Sequence, residues 1–158
     1  YTLFNTRSMN HNLPLIGDCE QRAGRAYRAE EVTCLSNGIA LDIAAAYGED
    51  AGINRCFRTL KLRNGLMLHD EIELAERRPV TWVFMLRHEP VQEGGAIRTG
   101  KLQIAWHAQL GISIEEIPVT DARMAKNFPG SIWRLTLTAK EAQLHDETFT
   151  IERANSHE

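Results

Sequence analysis

The run Asn10-His11-Asn12-Leu13-Pro14-Leu15-Ile16-Gly17, with Gln21 and Gly24 close behind it, sets polar side chains directly against an apolar strand near the start of the chain. An imidazole titrates near neutrality and can take or give a proton, and a carboxamide offers donor and acceptor together. His11 between two asparagines at the mouth of a strand is therefore a candidate catalytic group, with Asn10, Asn12, Gln21 and Arg22 as candidate substrate contacts. A second chemistry is open to the same histidine. Asp42 stands in the apolar Ala40-Leu41-Asp42-Ile43, where a buried carboxylate must be paired or liganded, and His88 ends a strand in Leu86-Arg87-His88-Glu89-Pro90. His11, Asp42 and His88 together would suit zinc or another divalent metal. The alternative is three separate polar groups, each hydrogen-bonded at its own strand end.

Arg7, Arg22, Arg25 and Arg28 lie near His11 in sequence. They could pair with a carboxylate or sulfate, which a guanidinium grips with two parallel hydrogen bonds, or they could be solvated charges that keep a strand edge unpaired. His69 and His107 fall on the polar faces of their strands, where exposure to water explains them, and His157 belongs to the tail. Cys19, Cys34 and Cys56 are odd in number and lack CxxC spacing, so three reduced thiols are expected rather than a disulfide framework or a zinc knuckle. Gly94-Gly95 has no following helix or Lys-Ser/Thr pair to make a nucleotide loop, and no Gly-x-Ser-x-Gly elbow occurs. Chemistry in this chain must rest on histidine and carboxylate.

The elements that would position these groups show mainly period-two alternation. Leu102, Ile104, Trp106, Ala108 and Leu110 share one face of a strand, and Trp133, Leu135 and Leu137 do the same against Arg134, Thr136 and Thr138. Val80, Trp82, Phe84 and Leu86 alternate with Thr81, Val83 and Met85, so that strand is apolar on both faces and central. Asn64-Gly65 predicts a two-residue type I′ hairpin joining strands 54–63 and 66–74. Further strands are expected at 26–35, 38–43, 113–117 and 147–153, while 43–47 and 121–126 suggest only a turn or two of helix. The fold class is all-β: an antiparallel sandwich or stacked sheets of nine or ten strands with little helix. Trp82, Trp106 and Trp133 lie on apolar strand faces, which favours core packing over sugar stacking.

A chain of 158 residues suits one domain spanning 1–158. A 43% hydrophobic and 25% charged composition excludes a disordered chain, and no apolar run approaches the roughly 18 residues of a membrane helix. The net charge of -3, with basic residues scattered, argues against nucleic acid as a partner. The opening Tyr1-Thr2-Leu3-Phe4 is strand-like and lacks an initiating Met, so the chain is expected to be cut from something larger.

The stretches Ser8…Asn10-His11-Asn12-Leu13-Pro14-Leu15-Ile16-Gly17…Gln21…Gly24, Ala40-Leu41-Asp42-Ile43…Ala46-Tyr47, Phe57-Arg58…Leu60, Asp70-Glu71-Ile72-Glu73-Leu74…Val80-Thr81-Trp82…Phe84-Met85 and Trp133-Arg134-Leu135-Thr136-Leu137 together resemble the C-terminal domain of the heparinase II/III-like polysaccharide lyases. The resemblance spans nearly the whole chain. It implies a multi-layered antiparallel β domain that follows an (α/α) toroid of helices, expected upstream of these residues. It also implies β-elimination on uronic-acid polysaccharides, with a catalytic Tyr on the toroid. Many members carry His-x-His-x-Asp where this chain has Met9-Asn10-His11-Asn12-Leu13, so His11 matches the second His. In some members that His binds a structural zinc with an Asp and a further His; in another register it acts on substrate.

The function expected is thus a lyase β domain that contributes His11 to a cleft shared with the toroid; the alternative is a non-catalytic carbohydrate-binding or structural sandwich. Expected partners are an acidic polysaccharide, the toroid of the same polypeptide and a second copy in a homodimer, with neither membrane nor nucleic acid among them. The resemblance suits a bacterial cytoplasmic, or else periplasmic or secreted, protein.

Overall fold

Strands with one apolar face can hide it only against another such face, and the computed structural model, which describes residues 4–154, stacks two antiparallel sheets. The strands in chain order are β1 (Pro14–Ile16), β2 (Glu30–Leu35), β3 (Gly38–Asp42), β4 (Ile53–Leu62), β5 (Leu66–Arg78), β6 (Val80–Leu86), β7 (Pro90–Glu93), β8 (Ala96–Thr99), β9 (Leu102–Trp106), β10 (Gly111–Pro118), β11 (Ser131–Thr138) and β12 (Ala142–Arg153). Four of them form one sheet in the order β1-β6-β11-β10, and eight form the other in the order β2-β3-β4-β5-β12-β9-β8-β7. The fold is the expected all-β sandwich, with twelve strands among the described residues. The two strands without a forecast, β7 and β8, are four residues each and close a hairpin over Gly94 and Gly95, whose φ of 56° and 84° suit a type I′ turn.

Asn64-Gly65 behaves differently from the forecast. Leu62 pairs with Leu66, leaving a three-residue loop, and neither Asn64 nor Gly65 has a positive φ. The glycine answers a different demand: a Cβ at Gly65 would lie 2.6 Å from the carbonyl oxygen of Ile151 on β12. The expected long strand through Leu110 also breaks. β9 ends at Trp106, and the chain bends through His107 and Ala108 to enter β10 of the other sheet, so a single alternation ran across a corner between layers. The first expected strand segment, 26–35, is a strand only over Glu30–Leu35, and it carries a register shift at Glu31, the one non-glycine residue with positive φ (48°) among the described residues. Phe4 begins a 3-10 turn rather than continuing a strand; residues 1–3 and the tail at 155–158, with His157, lie outside the described residues.

The core lies between the sheets. Val80, Trp82 and Phe84 of β6 and Leu135 and Leu137 of β11 face Cys56, Leu68, Ile72, Ile97, Ile104 and Phe149 of the larger sheet. Trp82 and Phe84 both meet the Phe149 ring, with centroids 5.5 Å and 5.2 Å apart. Trp106 and Trp133 are half-buried. β6 is buried on both faces, as its composition forecasts, because Val83 on the outer face is also covered and the turn Ser8–Asn10 rests against the strand. The short helical forecasts become a 3-10 turn at Ala44–Ala46 and one α turn at Ala122–Ala125, capped by Asp121, whose Oδ1 accepts from the amides of Arg123 and Met124.

Candidate functional site

His11 sits where the N-terminal segment crosses from the outer face of the small sheet to its edge strand. β1 is short because it begins on Pro14, which has no amide to give, and it pairs along β6 through Pro14↔Trp82 and Ile16↔Val80. Upstream, two 3-10 turns, Phe4–Thr6 and Ser8–Asn10, fold the chain back on itself. The His11 amide donates to Ser8 O (3.0 Å), and its carbonyl accepts from Leu13 N (2.8 Å). The imidazole is exposed, and its Nε2 lies 3.2 Å from the Asn5 carbonyl oxygen. A carbonyl only accepts, so Nε2 carries the proton and Nδ1 keeps the basic lone pair.

Both neighbours of His11 are held. The Asn10 carboxamide donates to Phe4 O (2.6 Å) and accepts from Arg134 Nη2 of β11. The Asn12 side-chain oxygen accepts from the Met85 amide of β6 (2.7 Å), and its backbone carbonyl accepts from Arg58 Nη1 of β4 (2.8 Å). Arg58 is itself clamped. Its Nε and Nη2 donate to the two carboxylate oxygens of Asp70 at 2.7 Å and 2.6 Å, and Trp82 Nε1 donates to the same carboxylate at 2.9 Å. Burial lowers the pKa of Arg58, but the charge and hydrogen bonds of Asp70 outweigh it and leave it raised. Tyr47 completes the contact with β1 by donating to Pro14 O (2.5 Å).

Tyr47 and Cys56 border this network, and neither is an acid or base near neutrality. Burial, aided by the neighbouring Cys56, pushes the Tyr47 hydroxyl up; burial and the Asp70 charge do the same to the Cys56 thiol. Glu20 anchors the other end of the segment. Burial raises its pKa, but hydrogen bonds from Arg7, the Met9 amide and Ser8, with the Arg7 charge, outweigh that and hold the carboxyl below its ordinary range.

The remaining candidates stand elsewhere. Gln21 bridges to Tyr47 and its amide donates to Ser8 Oγ (2.9 Å). Arg22 pairs with Asp50 (2.7 Å) on the wall of a cavity of about 430 Å³ lined also by Tyr27, Tyr47 and Glu49, a lining that His11, Asn10 and Asn12 do not share. Asp42 has a local role: its Oδ1 accepts from the amides of Ala44 (2.7 Å) and Cys56 (3.3 Å), capping the turn that follows β3. The exposed His88 ring lies against Gly100, where a Cβ would come within 2.6 Å of it. Among the described residues no three His, Cys, Asp or Glu side chains are grouped to hold a metal ion. The expected trio His11, Asp42 and His88 is thus not grouped among the described residues. Cys19, Cys34 and Cys56 are free thiols.

Arg58, Asp70, Arg134 and Glu20 escaped the sequence-based selection of site residues. A signal existed for two of them, since Arg58 shares a face with Cys56 and Leu60, and Asp70 with Leu68 and Ile72. Nothing local marks Arg134 or Glu20. No protein-family model matches the chain, and no curated protein matches it.

Proposed function

We propose that this chain is the β domain of a polysaccharide lyase that cleaves uronic-acid-containing glycans by β-elimination, with His11 as its contribution to a cleft completed by a helical toroid upstream. The observation that carries this reading is the exposed imidazole whose Nε2 is committed to the Asn5 carbonyl, leaving Nδ1 as an accessible base between two immobilised asparagines. In such an elimination a base takes the proton at C5, the C4–C5 double bond forms, and the glycosidic oxygen leaves C4 and is protonated. A histidine held in reach of C5 suits the first step. The Asn12 amide nitrogen suits the uronate carboxylate, whose charge must be offset as the carbanion develops, since only the side-chain oxygen of Asn12 is taken up by Met85.

The test restores the upstream chain and follows the ultraviolet band of the unsaturated uronate on heparan sulfate, alginate and related polymers. His11→Ala is expected to cost on the order of a hundredfold or more in kcat. Unchanged turnover in that variant, or no absorbance gain on any uronate polymer, would sink the reading. Calorimetric binding of such a polymer by a restored but inactive protein would put a glycan-binding module in its place.

A further inference from the structure

Arg134 is an odd residue for a purely structural task. It lies on β11 facing away from the core, between Trp133 and Leu135, yet its side chain is only 13% exposed. Its register neighbours are Met85 on β6 and Glu115 on β10. Nη1 donates to Glu115 (2.5 Å) and Nη2 to the Asn10 carboxamide oxygen, while Nε is buried with no partner. A buried donor without an acceptor costs free energy, so the two contacts that Arg134 keeps are made against that cost.

Those contacts lead to His11. With its oxygen held by Arg134, the Asn10 carboxamide has one orientation, which aims Nδ2 at Phe4 O. Phe4 and Asn5 belong to one 3-10 turn, and the Asn5 carbonyl is the group that receives His11 Nε2. We propose that Arg134 is a positioning residue: through Asn10 and the Phe4–Thr6 turn it holds the Asn5 carbonyl in place and so selects the His11 tautomer with the proton on Nε2 and the lone pair on Nδ1. The inference deepens the lyase reading, in which Nδ1 is the base, and rests on it for its catalytic consequence.

The tautomer is measured directly by nitrogen-15 NMR of the histidine rings in this chain. The parent should show the neutral His11 ring protonated on Nε2. Arg134→Met should move the His11 ring nitrogens toward the values averaged between tautomers, and the amides of residues 8–12 should exchange roughly tenfold faster. Arg134→Lys, which keeps a donor to Asn10, should restore the parent signal in part. If Arg134→Met does not fold, Asn10→Ala breaks the same chain outside the sheets and should give the same shift. Parent-like His11 nitrogen shifts in either folded variant overturn the proposal. In the restored lyase, Arg134→Met should lower kcat on the order of tenfold to a hundredfold with little change in KM. An inactive parent would remove the lyase reading alone, because the NMR comparison decides the positioning role without turnover.

Discussion

A carboxylate can sit on a core-facing position only if something stabilises its charge, and Asp70 and Glu147 show the two outcomes side by side. They are cross-strand partners on β5 and β12. Asp70 is fully buried and accepts from Arg58 twice and from Trp82. Glu147 is half-buried, and burial first, then the charge of Asp146, raises its pKa. A carboxyl that binds its proton more tightly in the folded chain favours folding when protonated. Stability is therefore lost as pH rises from the unfolded-state pKa through the higher folded one. Glu147→Gln removes that loss, so the variant should melt higher than the parent at pH 7, with the gap closing below about pH 4. A gap independent of pH would contradict the assignment. The opposite sign holds for Glu20, whose lowered pKa supports the N-terminal turns above the ordinary glutamate range and ceases to do so as acid protonates it.

Among the elements, the β4–β5 hairpin separates what sequence pattern can and cannot say. Alternation and the Asn-Gly pair place both strands and the turn but not its type, because the conformational preference of Asn64-Gly65 does not govern here. The position is governed by Ile151, which approaches from β12. Gly65→Ala should accordingly destabilise the chain by about 1–3 kcal/mol, as overpacking does, in urea unfolding. Gly94→Asn should cost less, since Asn tolerates a left-handed φ and nothing lies within 4 Å of the added Cβ. Equal losses would refute the distinction. The alternation of apolar residues places β6 to the residue, because Thr81 is its one polar position. The hairpin also held a clue to the Arg58–Asp70 pair: once Leu62 faces Leu66, counting back along both strands places Arg58 opposite Asp70. His11 offered no such count. Its neighbour Asn10 is held by Arg134, 124 residues further along the sequence, and no local periodicity carries that information.

At the scale of the whole molecule, Asp70 ties the two sheets by polar bonds across a mainly apolar interface. Its carboxylate lies on the eight-stranded sheet with Arg58, and Trp82 reaches it from the four-stranded one. Removing one partner of a buried ion pair leaves the other charge without compensation. Asp70→Asn should cost about 3–5 kcal/mol in denaturant unfolding, and the double variant Arg58→Met/Asp70→Leu should cost less than Asp70→Asn alone. A double variant as unstable as the sum of the two single changes would show that the pair is not coupled in this way. The third nitrogen of the same guanidinium, Arg58 Nη1, holds the Asn12 carbonyl, so the joint between the layers and the seat of the histidine share one residue.

The larger sheet ends on β2, whose residues from Glu30 to Cys34 are all exposed, with Val32 54% open to water. An exposed edge strand invites another chain to hydrogen-bond alongside it. The left-handed backbone at Glu31 throws the ladder out of register between Glu30 and Thr33, so an incoming strand would find a straight template only from Thr33 onward. The positive φ at Glu31 thus limits the stretch of this edge over which a second strand could pair in register.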